Sequence, residues 1–406
     1  MRERPLYQSL FMELAKEGRM VFLAGPRRVG KTTLGELVGR GYANRLVLNG
    51  EIPEHRAKLI RDPAFFEAVE RRDESRPLVM LDEINRHRGW RKYLKAAYDR
   101  AQAGCQFLVT GSSRLDHPQR RGDSLAGRYY LIDLWPFTQA EAGGANRAPE
   151  AFLGDPLQVS MERAGELADL WNTLFELGGF PEPFLAGRKN VYRRWSNAYG
   201  GQLVREEIRD MTGIKALSEL ETLLHLLPAQ VGGLLSVPAL AQALQVAYNT
   251  VRSWLATLQR FFAVFVVSPW TQGIPRAIRE GQKLYLYDYP RVEDGGARFE
   301  NMVAVELGRA VSSWNAMGLG SFALHFIRTK DQQEVDFLIT DGGRPRLLLD
   351  ASGQAAEPPA ALLKFQGALG VPAVHLLRAA DGYRRMMNDG RPLLAAPAGQ
   401  YLAGLP

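Results

Sequence analysis

MVFLAGPRRVGKTT, residues 20–33, is the stretch on which the fold turns. Met20–Ala24 is a short apolar run cut off at once by Gly25 and Pro26, which reads as a buried strand. Helix formers follow from Lys31 to Arg40, and Gly41 supplies a stop signal. Between strand and helix, Gly25 to Thr32 fit G-x-x-x-x-G-K-[ST] in full. The glycines let the backbone curl so that its N–H groups face an anion, and the helix points its positive end at the same place. The candidate nucleotide contacts are Gly25, Pro26, Arg27, Arg28, Val29, Gly30, Lys31, Thr32 and Thr33. Lys31 suits the β- and γ-phosphate oxygens, and the Thr32 hydroxyl suits Mg2+.

Working outward, the strand-then-helix rhythm continues. Arg45–Leu48, Leu78–Leu81, Phe107–Thr110 and Tyr130–Leu134 read as strands, with helical stretches between most of them. The pattern predicts an α/β core with a parallel sheet covered on both faces. LVMLDE (78–83) ends an apolar strand in two carboxylates about 50 residues past the loop. Asp82 is the candidate Mg2+ partner, and Glu83 the candidate base that activates or orients water. The chain has no Asn-Lys-x-Asp guanine reader, so ATP hydrolysis is the favoured chemistry. Ser112, after the third of these strands, is a candidate for placing the water, against a simple turn. Arg128, in Ser124–Tyr130, is a candidate γ-phosphate contact in its own or a neighbouring subunit, against a surface ion pair.

The rhythm breaks near Trp135-Pro136. Residues 141–158 are rich in Gly, Ala and Pro and read as a loop, and a mostly helical middle runs to about Arg260. Its last three helices, followed by the apolar run Phe261–Val267, predict a helix-turn-helix with a wing. Asn249, Thr250, Arg252 and Ser253 open the recognition helix and are candidate contacts to double-stranded DNA, while Val251, Trp254, Leu255 and Leu258 form its core face. A second α/β unit follows, with a helix near Phe299–Val311, strands near 322–327, 335–339, 347–350 and 373–377, and a helix near 360–369. The expected organisation is a P-loop core (1–140), a linker and helical lid (141–215), a winged-helix segment (216–275) and a C-terminal α/β domain (276–406).

The net charge of +7 permits nucleic-acid contact and equally fits an Arg-rich composition. Cys105 is the one cysteine, so no internal disulfide or cysteine zinc site forms, which suits a reducing cytoplasm. The N-terminus is too charged for a secretory signal, and no apolar stretch approaches the ~20 residues of a membrane helix. A cytoplasmic protein without membrane contact is the expectation.

Several further motifs lie in a set order. They are GPRRVGKTTL, LVMLDEI, GW–YLK–YD (89–99), LVTGSS, SLAGRYY, GGFPEP (178–183), REEIRD (205–210), GARFENMVA (296–304) and EVDFLI (334–339). Together they resemble a prokaryotic family of AAA-type ATPases whose C-terminal region is a domain of unknown function. The resemblance implies an AAA-like five-stranded core, a winged-helix segment and a restriction-endonuclease-like C-terminal fold, and AAA-like ATPases often form rings. In such a nuclease fold Glu300, Asp336 and Asp350 would be the metal-binding carboxylates. The final lysine position holds Ser352, and Lys364 is the candidate replacement amine. Three functions stay open: an ATPase that moves DNA-facing modules, an ATP-gated metal-dependent nuclease, and an ATP-binding scaffold that acts through protein partners or further copies of itself.

Overall fold

The computed structural model describes residues 2–62, 64–86, 89–101, 104–114, 125–144, 147–353 and 357–406. The chain divides into two compact units, Met1–Trp135 with Arg260–Phe262, and Pro136–Gln259 with Ala263–Pro406. No helix among the described residues is long and apolar enough to cross a membrane.

The first unit is built on five strands: β1 (Met20–Ala24), β2 (Arg45–Asn49), β3 (Leu78–Asp82), β4 (Gln106–Gly111) and β5 (Tyr129–Asp133). Their order is β2-β3-β4-β1-β5, and every pairing is parallel. β1, β3 and β4 are buried along their whole length, as expected of a parallel sheet covered on both faces. The helices are α1 (Pro5–Ala15), α2 (Lys31–Gly39), α3 (Pro53–Arg61) and α4 (Trp90–Ala101). Because the strands are parallel, the C-terminal ends of β1, β3 and β4 share one edge, and that edge carries the phosphate loop.

The second unit begins with helices α5 (Gln139–Gly143), α6 (Pro149–Gly154), α7 (Ala164–Leu177), α8 (Pro181–Ala186), α9 (Lys189–Gln202) and α10 (Arg209–Met211). The stretch 141–158 is therefore not one loop. Thr138 caps α5 with its side chain and Pro149 opens α6, so two short helices fit where Gly and Ala suggested none. Next come α11 (Leu217–Leu226), α12 (Val237–Leu244) and α13 (Tyr248–Arg260), then the antiparallel pair β6 (Val264–Pro269) and β7 (Lys283–Leu286).

An eight-stranded mixed sheet dominates the rest. It adds β8 (Phe322–Arg328), β9 (Glu334–Asp341), β10 (Arg344–Gly353), β11 (Ala373–Leu377), β12 (Arg384–Asn388) and β13 (Arg391–Pro397), in the order β12-β13-β11-β10-β9-β8-β6-β7. The long helix α14 (Gly295–Ala316), capped by Asp294, packs on β7, β8 and β10. α15 (Ala360–Leu369) packs on β9 and β10, and α16 (Ala398–Ala403) closes the chain against α5 and α7.

Candidate functional site

The phosphate loop leaves β1 at Ala24 and enters α2 at Lys31. Gly30 sits at φ +98°, in the left-handed region that side chains disfavour. A Cβ on Gly25 would lie 2.4 Å from the Leu134 carbonyl oxygen, so only glycine fits there. Arg4 of the N-terminal segment ties the loop to Trp135, which Tyr7 also holds. Buried Arg4 donates to the carbonyls of Val29 (3.2 Å) and Trp135 (2.7 Å), and the Tyr7 hydroxyl accepts from the Trp135 N–H (3.2 Å).

Lys31 is buried and donates to the carbonyls of Pro26 (3.0 Å) and Gly25 (3.2 Å), with Glu83 Oε1 at 3.4 Å. Its partners are mainly neutral, so an arriving phosphate offers it a stronger acceptor. Asp82 ties three strands together. Its Oδ2 accepts from Thr32 (2.9 Å) and Asn49 (3.1 Å), and its Oδ1 accepts from Thr110 at 2.6 Å. Burial raises the Asp82 carboxyl above its ordinary value; the Thr110 and Thr32 hydrogen bonds and the Lys31 charge oppose that shift, and Glu83 adds to it. Glu83 follows at φ +48°, a strained position for a side chain, with its N–H donating to Thr110 Oγ1 (3.0 Å). Its Oε2 accepts from the Ser112 N–H at 3.0 Å. A carboxylate aimed at the loop lysine, a neighbouring acid bonded to the loop threonine and a helix N-terminus thus converge on one edge of the sheet. The donor set of Thr32 and Asp82, both oxygen ligands, fits a hard cation such as Mg2+.

Thr110 and Asn49 are functional candidates that the sequence did not single out. Ser112 contributes its backbone N–H, while its buried hydroxyl makes no hydrogen bond among the described residues. Arg128 is placed as its surface-ion-pair alternative expects. It precedes β5 at the opposite edge of the sheet, where its carbonyl accepts from the Met20 N–H (3.0 Å) and its guanidinium pairs with Asp99 (2.8 Å). The length of β1, about 13 Å at 3.3 Å per residue, separates it from the loop of its own subunit. Ser124, which opens the same motif, lies outside the described residues.

In the second unit Glu300 of α14 and Asp336 of β9 do meet, but around a lysine. Lys283 of β7 is fully buried, with its ammonium 2.7 Å from Glu300 Oε1, 3.3 Å from Asp336 Oδ1 and also paired with Glu334. Burial alone would lower the Lys283 pKa; Asp336, Glu300 and Glu334 together overcome it and raise it. Asp350 instead binds His375 Nδ1 at 2.7 Å. The expected metal trio of Glu300, Asp336 and Asp350 is not formed, and no cluster of three metal-ligating side chains occurs among the described residues. Lys364 does not fold back either: it is held at Gln333 Oε1, 2.5 Å away. The Ser352 side chain lies outside the described part.

On α13, Asn249, Arg252 and Ser253 are exposed and Thr250 is half-buried, while Val251, Trp254, Leu255 and Leu258 are buried. Tyr248, Arg252, Gln259, Arg279, Glu280 and Gln282 line a groove of about 940 Å³ beside this helix.

Comparison with known proteins agrees with the first unit. Residues 17–143 match the AAA domain family, and residues 168–289 match a domain of unknown function (DUF8612). Two uncharacterised proteins, one of Mycobacterium bovis and one of Mycobacterium tuberculosis, are each 24% identical over 333 residues, covering 80% of this chain and 68% of theirs. A Walker-type ATPase of Pyrococcus abyssi is 14% identical, with a TM-score of 0.44 over 73% of this chain and 96% of that one. PCH-2 of C. elegans is 13% identical, with a TM-score of 0.24 over 62% of this chain and 67% of that one. At these scores neither structural likeness bears on function. The first unit has the parallel sheet and phosphate loop of a P-loop fold, and its residues 17–143 are similar to the AAA domain family.

Proposed function

We propose that this chain hydrolyses ATP and uses nucleotide state to control DNA-facing modules in its second unit. The observation that carries the hydrolytic reading is the convergence on Asp82. One carboxylate accepts from Thr32 of the phosphate loop and from Thr110 of β4, and the next residue, Glu83, faces Lys31. The loop amides and Lys31 bind the phosphates. Thr32 and Asp82 would hold Mg2+, which would supply charge neutralisation at the phosphate oxygens. Glu83 takes the proton of the attacking water, or orients it, and the Ser112 N–H and the Thr110 hydroxyl fix its position. Arg128, at the far edge of the sheet and paired with Asp99, would reach a γ-phosphate only in a neighbouring copy.

The three helices α11–α13 with the β6–β7 pair are read as a winged helix, and the larger sheet with α14 as a restriction-nuclease-like fold. The exposed Asn249, Arg252 and Ser253, with Arg279 across the groove, favour a polyanionic partner. The test is ATPase rate with and without duplex DNA, over a range of salt. Stimulation that fades as salt rises supports the reading. An unchanged rate with no DNA binding removes the DNA half of it and leaves the scaffold alternative.

A further inference from the structure

The carboxylates of the second unit invite a divalent ion, yet their surroundings exclude one. An ammonium has three protons to donate, and Lys283 meets three carboxylates: Glu300, Glu334 and Asp336. Further donors also hold these carboxylates. Tyr285 donates its hydroxyl to Glu300 Oε1 at 2.7 Å, the Ala351 N–H donates to Asp336 Oδ2 at 2.9 Å, and Arg328 pairs with Glu334 at 2.8 Å. Phe326 closes the pocket with its ring 5.7 Å from the ammonium. A magnesium-like ion needs near-octahedral oxygen ligands and keeps several waters. It would have to displace a buried charge of its own sign that is covalently tethered to β7.

We propose that Lys283 is a resident cation that occupies the carboxylate pocket in place of a metal, so that this pocket loads no divalent ion and serves as a structural lock. Nothing in this requires descent from a nuclease, because the contacts alone exclude the ion. Tyr285 and Lys283 alternate along β7 and deliver both donors to one face of the strand. The lysine therefore joins the β6–β7 pair to β9 and α14, and it does with a side chain what a bound ion does elsewhere.

The probe is Mn2+ added to the full chain without nucleotide, with free Mn2+ read by electron paramagnetic resonance. Asp336→Asn reports the pocket's share of any binding. Wild type and D336N should bind Mn2+ equally. Lys283→Ala should gain a Mn2+ site that disappears in the K283A/D336N double variant. Mn2+ binding in wild type that D336N removes would overturn the proposal, and so would a folded K283A that gains no Asp336-dependent site. Should K283A be folded but too unstable for that titration, Mn2+ should raise its melting temperature by several degrees in an Asp336-dependent way, and a melting temperature indifferent to Mn2+ counts against the proposal.

Discussion

Lys31 and Lys283 are both buried lysines set near carboxylates, and they are held in opposite ways. Lys31 rests on two main-chain carbonyls, with Glu83 at 3.4 Å. Lys283 is clamped by three carboxylates at once. Neutral carbonyls give up an ammonium to a phosphate at little cost, because the charge then gains a charged partner. Three carboxylates do not, since releasing the ammonium would leave their charge buried and unpaired. The difference separates a cation kept ready for a ligand from one spent on the fold.

Substituting each lysine should therefore give crossed results. Lys283→Ala leaves buried carboxylates without their counter-charge and should cost about 3–5 kcal/mol of stability in chemical denaturation, with nucleotide binding retained. Lys31→Ala should do the reverse. Turnover should fall about 10²–10³-fold, as when an electrostatic stabiliser of a transition state is removed, with the melting temperature little changed. Equal stability losses in the two variants would break the comparison.

A smaller effect sharpens it. Thr110→Val keeps the strand but removes the hydroxyl that donates to Asp82 and accepts from the Glu83 N–H. A hydrogen bond to a charged group contributes about 1.5–3 kcal/mol, so steady-state turnover should drop about tenfold to a hundredfold. The Ser112→Ala change should matter less, because Ser112 acts through its backbone.

A pH dependence concerns a carboxylate on the same helix as Glu300 but with no lysine clamp. Glu306 accepts from the Gln139 N–H at 2.7 Å, and burial pushes its pKa up to about 8 from an ordinary 4.5. The folded state thus holds a proton that the unfolded state releases near pH 4.5. Stability should fall as pH rises between those two values, by up to about 1.4 kcal/mol per pH unit, and level off above the upper one. Glu306→Gln should flatten that slope in denaturant titrations across the same range.

Much of the first unit was legible because its signals are local. β1 and β3 are marked by unbroken apolar runs cut by Gly or Asp, α2 by helix formers closed by Gly41, and the phosphate loop needs glycine at positions set by its own backbone. Thr110 was not legible. In QFLVTG it reads as an ordinary β-branched strand residue, and only the parallel register of β3 and β4, with Leu81 opposite Val109, brings it to Asp82. The position of Arg128 was not legible for a related reason: strand direction, not distance along the chain, decides which sheet edge a residue occupies. In the second unit, α14 and β8 to β11 were visible as apolar segments, whereas β12 carries Arg384 and Arg385 and gave no such signal. Lys283 lies 17 residues before Glu300 and 53 before Asp336, so no sequence spacing announces that the three meet.

The central claim is that Glu83 serves hydrolysis and not binding. The direct measurement is Glu83→Gln, with ATP affinity by equilibrium titration and phosphate release in a single turnover. The amide oxygen of the variant can still accept from the Ser112 N–H, so the site should keep its shape. ATP affinity should stay near wild type while phosphate release falls about 10²–10⁴-fold, the usual contribution of a positioned base. Wild-type phosphate release from a variant saturated with ATP would contradict the account.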